Sequence, residues 1–509
     1  MLQRIDSEVR SKEAEGGQTL DPNDWRGLRA QAHYMMDDML DYLEHIRERP
    51  VWQPIPAEVR ARFHAALPSL PTQLAAAHEE FMREVLPYAG GNVHPGFMGW
   101  VQGGGTPVGM LAEMLAAGLN ANLGGRDHMP IEVEQQIVRW MREIFGFPES
   151  ASGLFVTGTS MANLIATVIA RDVALGFEAR VRGIVASGKR LTAYASNAAH
   201  GCVTRAMDIS GIGSDALRLI TTDGRGRIDL DLLEETIEQD RRAGFAPFLV
   251  VGTAGTTDTG AIDNLDELAE ICARQKIWFH VDGAYGALAM LAPELAPRLK
   301  GLGRADSLAF DFHKWGQVPY DAGFLLVRDG VVHRKAFAAS AAYLQREQRG
   351  ISGGSSWPCD YGPDLSRGFH ALKTWFTLKV YGTEALGKTI AGTCELARYL
   401  EERIAETTEI ELMAAVELNI VCFRYRSAFF VEIREIESDH INREIVIELQ
   451  ESGSVAPSST ILRGRFCIRA AIVNHRTTRA EIEMLIEQTL ALGRALESNY
   501  VSCLKTELN

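Results

Sequence analysis

The chain has 509 residues, 46% of them hydrophobic and 23% charged, with 52 Lys and Arg against 66 Asp and Glu for a formal net charge of −14. That composition lies far from disorder and supports a large core in more than one domain, while the acidic balance and the lack of any basic run argue against a nucleic-acid partner and for small-molecule ligands. The seven cysteines are odd in number, scattered, and include no C-x-x-C pair, which disfavours a disulfide framework or a zinc site and suggests a reducing, cytoplasmic setting.

The N-terminal residues "MLQRIDSEVRSKEAEGG" carry charge where a secretory signal needs an apolar core. No later run approaches the roughly 18 uninterrupted apolar residues of a membrane span. From Asp21 to about Leu86 the text reads as helix, because Met35, Met36, Met39, Leu40, Leu43 and Ile46 recur at three- and four-residue spacing and form one apolar stripe. Residues 1–88 are therefore expected to be a helical arm with little core of its own, packed on the body or on a second subunit.

Over 89–385, short β-rich runs such as "GLFVT", "LTAYAS", "FLVVGT", "IWFHVD" and "SLAFDF" alternate with helical patterns. Strands separated by helical crossovers predict an α/β domain with a mostly parallel sheet covered on both faces. Ligands in such sheets bind at the carboxyl ends of the strands, where the loops gather. From 386 to 509, helices alternate with more amphipathic strands ("VCFRYRS", "GRFCIRAAIV"), which predicts a smaller C-terminal α/β domain.

Three strand ends in the larger domain carry chemistry. In "GLFVTGTSMANLIATVIARDVA" a strand turns through Gly158, Thr159 and Ser160 into a helix. Free N–H groups and the positive dipole end of a helix N-terminus bind phosphate, and the two hydroxyls add donors. An ordinary helix cap and a hydrolase elbow with Ser160 as nucleophile are the rival readings, although Ala162 stands where the elbow needs glycine. In "IWFHVDGAYGALA" an apolar strand ends on Asp282, followed by the small residues Gly283 and Ala284, which leave room for a flat ligand. In "SLAFDFHKWGQVPY" Lys314 follows a third strand, with His313 and Trp315 beside it. Desolvation disfavours the ammonium form, so a semi-buried lysine is a candidate nucleophile. Pyridoxal phosphate (PLP) asks for all three elements: an amine for its aldehyde, a phosphate cradle, and an Asp for its ring nitrogen.

The motifs TGTSMANL, SNAAH, GTTDTGAID, HVDGAYG and DFHKW, within a similarity running from "HPGFMGW" to "VNHRTT", resemble those of the PLP-dependent group II amino acid decarboxylases. That resemblance implies PLP fold type I and decarboxylation of an L-amino acid to its amine and carbon dioxide, with an aromatic substrate expected. It implies that Lys314 bonds the cofactor, that Asp282 faces the ring nitrogen and that His200 stacks on the ring. Thr257 would touch the cofactor's polar edge, Ala284 would lie beneath the ring, and Thr159, Ser160 and His313 would serve the phosphate. Tyr343, in the pattern Ala336, Phe337, Tyr343, Leu344, would be the proton donor. A homodimer with sites at the subunit interface is implied as well, and Arg469 matches a family arginine expected to be structural.

Two signals bear on substrate. Trp100 in "GFMGWV" corresponds to a pocket wall and favours a flat side chain, whereas Arg126 in "NANLGGRDHMP" is either part of a solvated loop or a clamp for an acidic one. Decarboxylation of an acidic amino acid is therefore one alternative. An aldehyde synthase on the same scaffold is another, disfavoured by Tyr343. A serine hydrolase would need a reactive Ser160, and a non-catalytic binding homologue would be expected to lack one of Lys314, Asp282 and His200.

Overall fold

Seven strand runs, most of them separated by helices, lie between residues 152 and 327, and six contain no solvent-exposed residue, the burial on both faces expected of a helix-covered, mostly parallel sheet. The computed structural model describes residues 19–338, 347–354, 357–426 and 435–507. A short strand β1 (Phe97–Met98) precedes β2 (Ser152–Val156), β3 (Leu191–Ser196), β4 (Leu217–Ile220), β5 (Ala246–Thr253), β6 (Trp278–Asp282), β7 (Ser307–Asp311) and β8 (Gly323–Val327). The last seven form one sheet in the order β2-β8-β7-β6-β5-β3-β4. Only β8 runs against its neighbours, so the sheet is mostly parallel, as the alternating pattern predicts.

The crossovers are helices Thr159–Leu175, Cys202–Ile209, Leu230–Arg242 and Leu265–Gln275. Their ends follow from sequence. Asp229 accepts the Leu232 amide at 3.0 Å to cap one helix, and Gly176 closes another in the left-handed region at φ 77°.

Strands β9 (Ile410–Leu412), β10 (Ile420–Tyr425), β11 (Ala456–Leu462) and β12 (Arg465–Ala471) build a second sheet, in the order β1-β11-β12-β10-β9. Its antiparallel pairs enclose a separate apolar cluster around Val421, Phe423, Ile445, Leu449, Ile468 and Leu485. Helix His370–Ala405 leads into it and breaks its helical path at Gly382, where φ is 73°.

By its contacts the chain divides into a unit of residues 1–45 with 56–87 and a unit of 46–55 with 88–509. Within the first, helix Trp25–Glu44 is capped by Asp24, whose carboxylate accepts the Arg26 and Gly27 amides at 3.0 Å, and no residue of that helix is fully buried. No helix among the described residues is long and apolar enough to cross a membrane.

Candidate active site

Strands β5, β6 and β7 are parallel, and their carboxyl ends carry Thr253, Asp282 and Asp311 to one edge of the sheet. The turns there enclose a cavity of about 350 Å³. Gly158, Thr159 and Ser160, after β2, contribute its helix N-terminus, and Trp100 and Arg469 close it from the segment around β1 and from β12. A larger hollow of about 600 Å³ lies at the opposite, amino ends of β5 and β6, away from these strand-end groups.

Asp311 organises one side of the cavity. Its Oδ1 accepts the Thr159 amide at 2.7 Å, and its Oδ2 lies 2.9 Å from Lys314 Nζ. The Lys314 side chain is 22% exposed, so its amine is shielded yet reachable. His313 is buried; its Nδ1 accepts the Ala322 amide at 3.0 Å, which leaves Nε2 as its N–H in the neutral ring. Burial holds the His313 pKa below the usual imidazole range, against the opposing pull of Asp311.

Asp282 forms the other side and is itself buried. Its Oδ1 accepts the Ala284 amide at 3.1 Å, and its Oδ2 accepts Asn163 Nδ2 at 2.9 Å and lies 3.9 Å from Cys202 Sγ. Burial pushes the Cys202 thiol up to about 12, so it is a neutral wall of the cavity and no nucleophile. His200 is exposed at the mouth, with its Nδ1 accepting the Cys202 amide at 3.2 Å.

The residues singled out from sequence converge here: Trp100, Thr159, Ser160, His200, Thr257, Asp282, Ala284, His313 and Lys314 all line this cavity. Arg126 does not. It sits exposed with φ 97°, its guanidinium over the Trp357 ring at 4.8 Å from the centroid. Tyr343 lies outside the described residues. Sequence reasoning passed over Asn163, Asp311 and Tyr320. Asn163 stands four residues after Thr159, one helical turn inside, and Asp311 stands three before Lys314, so both lay within motifs already noted. Arg469, expected to be structural, donates to Thr257 O at 2.9 Å and Gly99 O at 2.8 Å, and also lines the cavity.

Four buried polar atoms on lining residues have no hydrogen-bond partner: Thr159 Oγ1, Thr253 Oγ1, the Tyr285 hydroxyl and Arg469 Nη2. Such groups are normally satisfied, so they mark where a polar ligand belongs. With an amine, a carboxylate and a helix N-terminus around one cavity, this donor set fits PLP. The fold and the site together define a PLP-dependent enzyme of fold type I.

Comparison with known proteins agrees. The chain belongs to the pyridoxal-dependent decarboxylases: the profile described as "Pyridoxal-dependent decarboxylase conserved domain" matches residues 56–426. An aromatic-L-amino-acid decarboxylase of Bacillus atrophaeus is 32% identical over 93% of this chain and 97% of its own length. A phenylacetaldehyde synthase of Arabidopsis thaliana is 28% identical over 90% and 94%. The crystal structure of Oryza sativa TDC with PLP and tryptamine superposes with a TM-score of 0.86 at 25% identity, covering 94% of this chain and all of that one. The protein is thus a PLP-dependent amino acid decarboxylase.

Proposed function

We propose that the substrate is an aromatic L-amino acid, released as its amine and carbon dioxide. The observation that carries this reading is Trp100, an indole 59% exposed that lines the same cavity as Lys314 and Asp282. Such a surface on a cavity wall favours a flat, apolar partner. The Bacillus atrophaeus aromatic-L-amino-acid decarboxylase and the Oryza sativa structure with tryptamine support this reading, while the phenylacetaldehyde synthase supports only the aromatic class of substrate.

When bound, PLP supplies an electron sink for the pair left behind as carbon dioxide departs. The roles proposed for the chain's own groups rest on the family resemblance, supported for all but Tyr343 by their place around the cavity. Lys314 would hold the cofactor through its amine. Asp282, fixed by Asn163 and the Ala284 amide, presents a carboxylate to the ring nitrogen and favours its protonated form. A carboxylate beside a cation in a shielded site is worth on the order of a few kcal/mol, and about 1.4 kcal/mol is tenfold in rate. His200 and Ala284 would pack against the cofactor's ring, and Thr257 would meet its polar edge. Thr159, Ser160 and His313 take the phosphate at the helix N-terminus. Tyr343 delivers the proton to the former α-carbon.

A second reading, decarboxylation of an acidic amino acid, is favoured by Arg469 and its unpaired Nη2 in the cavity wall. A homodimer accords with helix Pro107–Leu119, which exposes Leu111, Met114, Leu115 and Leu119, and with the absence of fully buried residues on Trp25–Glu44. A cytoplasmic setting accords with cysteines that are free among the described residues.

The test is an assay of cofactor-loaded protein against aromatic, acidic, basic and aliphatic L-amino acids, following carbon dioxide, amine and peroxide together. Stoichiometric amine from aromatic substrates alone is expected. Turnover of acidic substrates alone would select the second reading, and aldehyde with peroxide would show that the carbanion is oxidised before it is protonated.

A further inference from the structure

Strand β6 reads Trp278, Phe279, His280, Val281, Asp282, and strand alternation puts Trp278, His280 and Asp282 on one face. The opposite positions, Phe279 and Val281, are ordinary core. Three alternate positions, all polar or polar-tipped, on one face of a central, buried strand are costly unless each is satisfied. Here they are satisfied in series. Trp278 Nε1 lies 2.8 Å from Ser307 Oγ, Ser307 Oγ 2.8 Å from His280 Nδ1, His280 Nε2 2.8 Å from Asn163 Oδ1, and Asn163 Nδ2 2.9 Å from Asp282 Oδ2.

The direction of every bond follows from chemistry. The Asp282 carboxylate accepts, so the Asn163 amide turns its NH₂ toward it and leaves Oδ1 to accept from His280. His280 must then carry its proton on Nε2, and its bare Nδ1 accepts the Ser307 hydroxyl. The indole of Trp278 can only donate, which it does to the Ser307 oxygen. Asn163, His280 and Ser307 are buried, and Trp278 is half-buried on the wall of the hollow at the amino ends of the strands. Burial also keeps the His280 ring neutral, with its pKa lowered to about 4.

We propose that His280 is a positioning residue for Asp282, acting through Asn163, with Ser307 and Trp278 locking the tautomer that makes the chain run one way. A plain core histidine needs only satisfied nitrogens, in either tautomer. This arrangement ends instead on the single carboxylate assigned to the cofactor's ring nitrogen, and it aligns four donors toward it. The inference rests on that assignment.

The test compares wild type, His280→Gln and His280→Phe for cofactor dissociation constant and for the visible absorption band of the bound cofactor, with folding checked by circular dichroism. Gln can place an N–H near the Nε2 position and Phe cannot. His280→Phe is expected to weaken cofactor binding by about tenfold, the upper end of what one neutral hydrogen bond contributes, and to shift the band, whereas His280→Gln stays within about threefold. Equal behaviour of Phe and Gln, or no change in either, would overturn the proposal. In parallel, ¹⁵N NMR of selectively labelled histidines in the cofactor-free wild type reads the tautomer directly. Protonated Nε2 with bare Nδ1 is expected at pH 7, and protonated Nδ1 overturns the proposal even if a variant fails to fold. A wild type that binds no PLP would instead sink the reading of the site itself.

Discussion

Lys314 Nζ rests 2.9 Å from Asp311 Oδ2, three residues away on the same turn, while Asp311 Oδ1 reaches across the cavity to the Thr159 amide. One carboxylate thus registers the amine against the helix N-terminus. Lys314→Ala and Lys314→Arg separate the two things the lysine does. Arg keeps a cation on Asp311 but offers no nucleophilic amine. Both variants are expected to lose at least about 10³-fold in kcat and to show no cofactor attached after borohydride reduction, as read by mass. Lys314→Arg should keep the wild-type denaturation midpoint. Retained turnover in either would remove Lys314 from the chemistry.

Gly323 begins β8 directly behind Gly158. A Cβ there would lie 2.4 Å from Gly158 Cα, and the obstacle is backbone that cannot rotate aside. Gly323→Ala must push the turn before Thr159 toward the cavity, with an overpacking cost of about 1–3 kcal/mol. Cofactor affinity is expected to fall more than stability does, because the displaced segment carries the phosphate cradle. Equilibrium binding of PLP alongside urea denaturation checks this, and unchanged binding would mean that the cradle lies elsewhere.

Much of this was legible in the sequence, and what escaped has a common physical cause. The strand ends at Asp282 and Lys314 announce themselves because short apolar runs stop on a charge, and Gly158-Thr159-Ser160 because a helix pattern follows a strand at once. Period-two reading even places His280 on the Asp282 face. It cannot show that Asn163, 119 residues away, fills the gap between them, since that contact is made by the sheet and not by local pattern. Arg469 was legible only as a structural arginine, and its place in the cavity wall was not, for the same reason: it reaches the cavity from β12, in the other sheet. Arg126 looked equally capable of clamping a carboxylate, but its loop is tied down elsewhere. The Leu123 amide donates to Arg367 O at 2.8 Å, and the Asp127 amide donates to Ile351 O at 3.0 Å.

Arg367 is the pivot of that loop. Its guanidinium donates to Leu123 O at 3.0 Å, Phe155 O at 2.8 Å and Glu134 Oε1 at 2.8 Å, and both ion-pair side chains are almost wholly buried. Removing one partner leaves the other charged in apolar surroundings. Arg367→Met is expected to destabilise the fold by about 3–5 kcal/mol, and the double change with Glu134→Leu should recover part of that loss. Denaturation midpoints of the two single variants and the double variant give the coupling, and strict additivity would show that the pair does not act as a unit.

Acid stability depends on buried histidines. Burial lowers His280 and His333 from 6.5 to about 4. Below pH 6.5 the unfolded chain takes up protons that the folded chain refuses, so their stabilisation is complete above 6.5 and is lost as pH falls toward 4. The loss is about 2 kcal/mol for each by pH 5. Asp263, raised to about 6 by burial, works the other way and recovers about 1 kcal/mol over the same span. A net fall in the denaturation midpoint from pH 7 to 5 is expected. His333 bonds Ser152 Oγ at 2.8 Å and Tyr361 O at 2.7 Å. His333→Gln can retain the bond to Tyr361 while removing the titration, so its midpoint should vary less with pH, by about 1.4 kcal/mol per unit. An unaltered slope would assign the acid loss to other groups.

Trp100 decides between the two substrate readings, because its exposure frees it from the core. Its ring centroid lies 6.1 Å from that of Phe97, and the residue is 59% exposed and lines the cavity. Trp100→Ala is therefore expected to leave the denaturation midpoint within about 0.5 kcal/mol of wild type while raising KM for an aromatic substrate about tenfold. If the aromatic ring binds against Trp100 equally in ground and transition states, kcat should hold steady. Arg126→Ala, made alongside, should alter neither parameter, since that guanidinium lies over Trp357 and away from the residues lining the cavity of this chain. Turnover of acidic substrates that is lost in Arg469→Ala, with no rise in KM for Trp100→Ala with aromatic ones, would reverse the assignment and make the Arg469 guanidinium the selector.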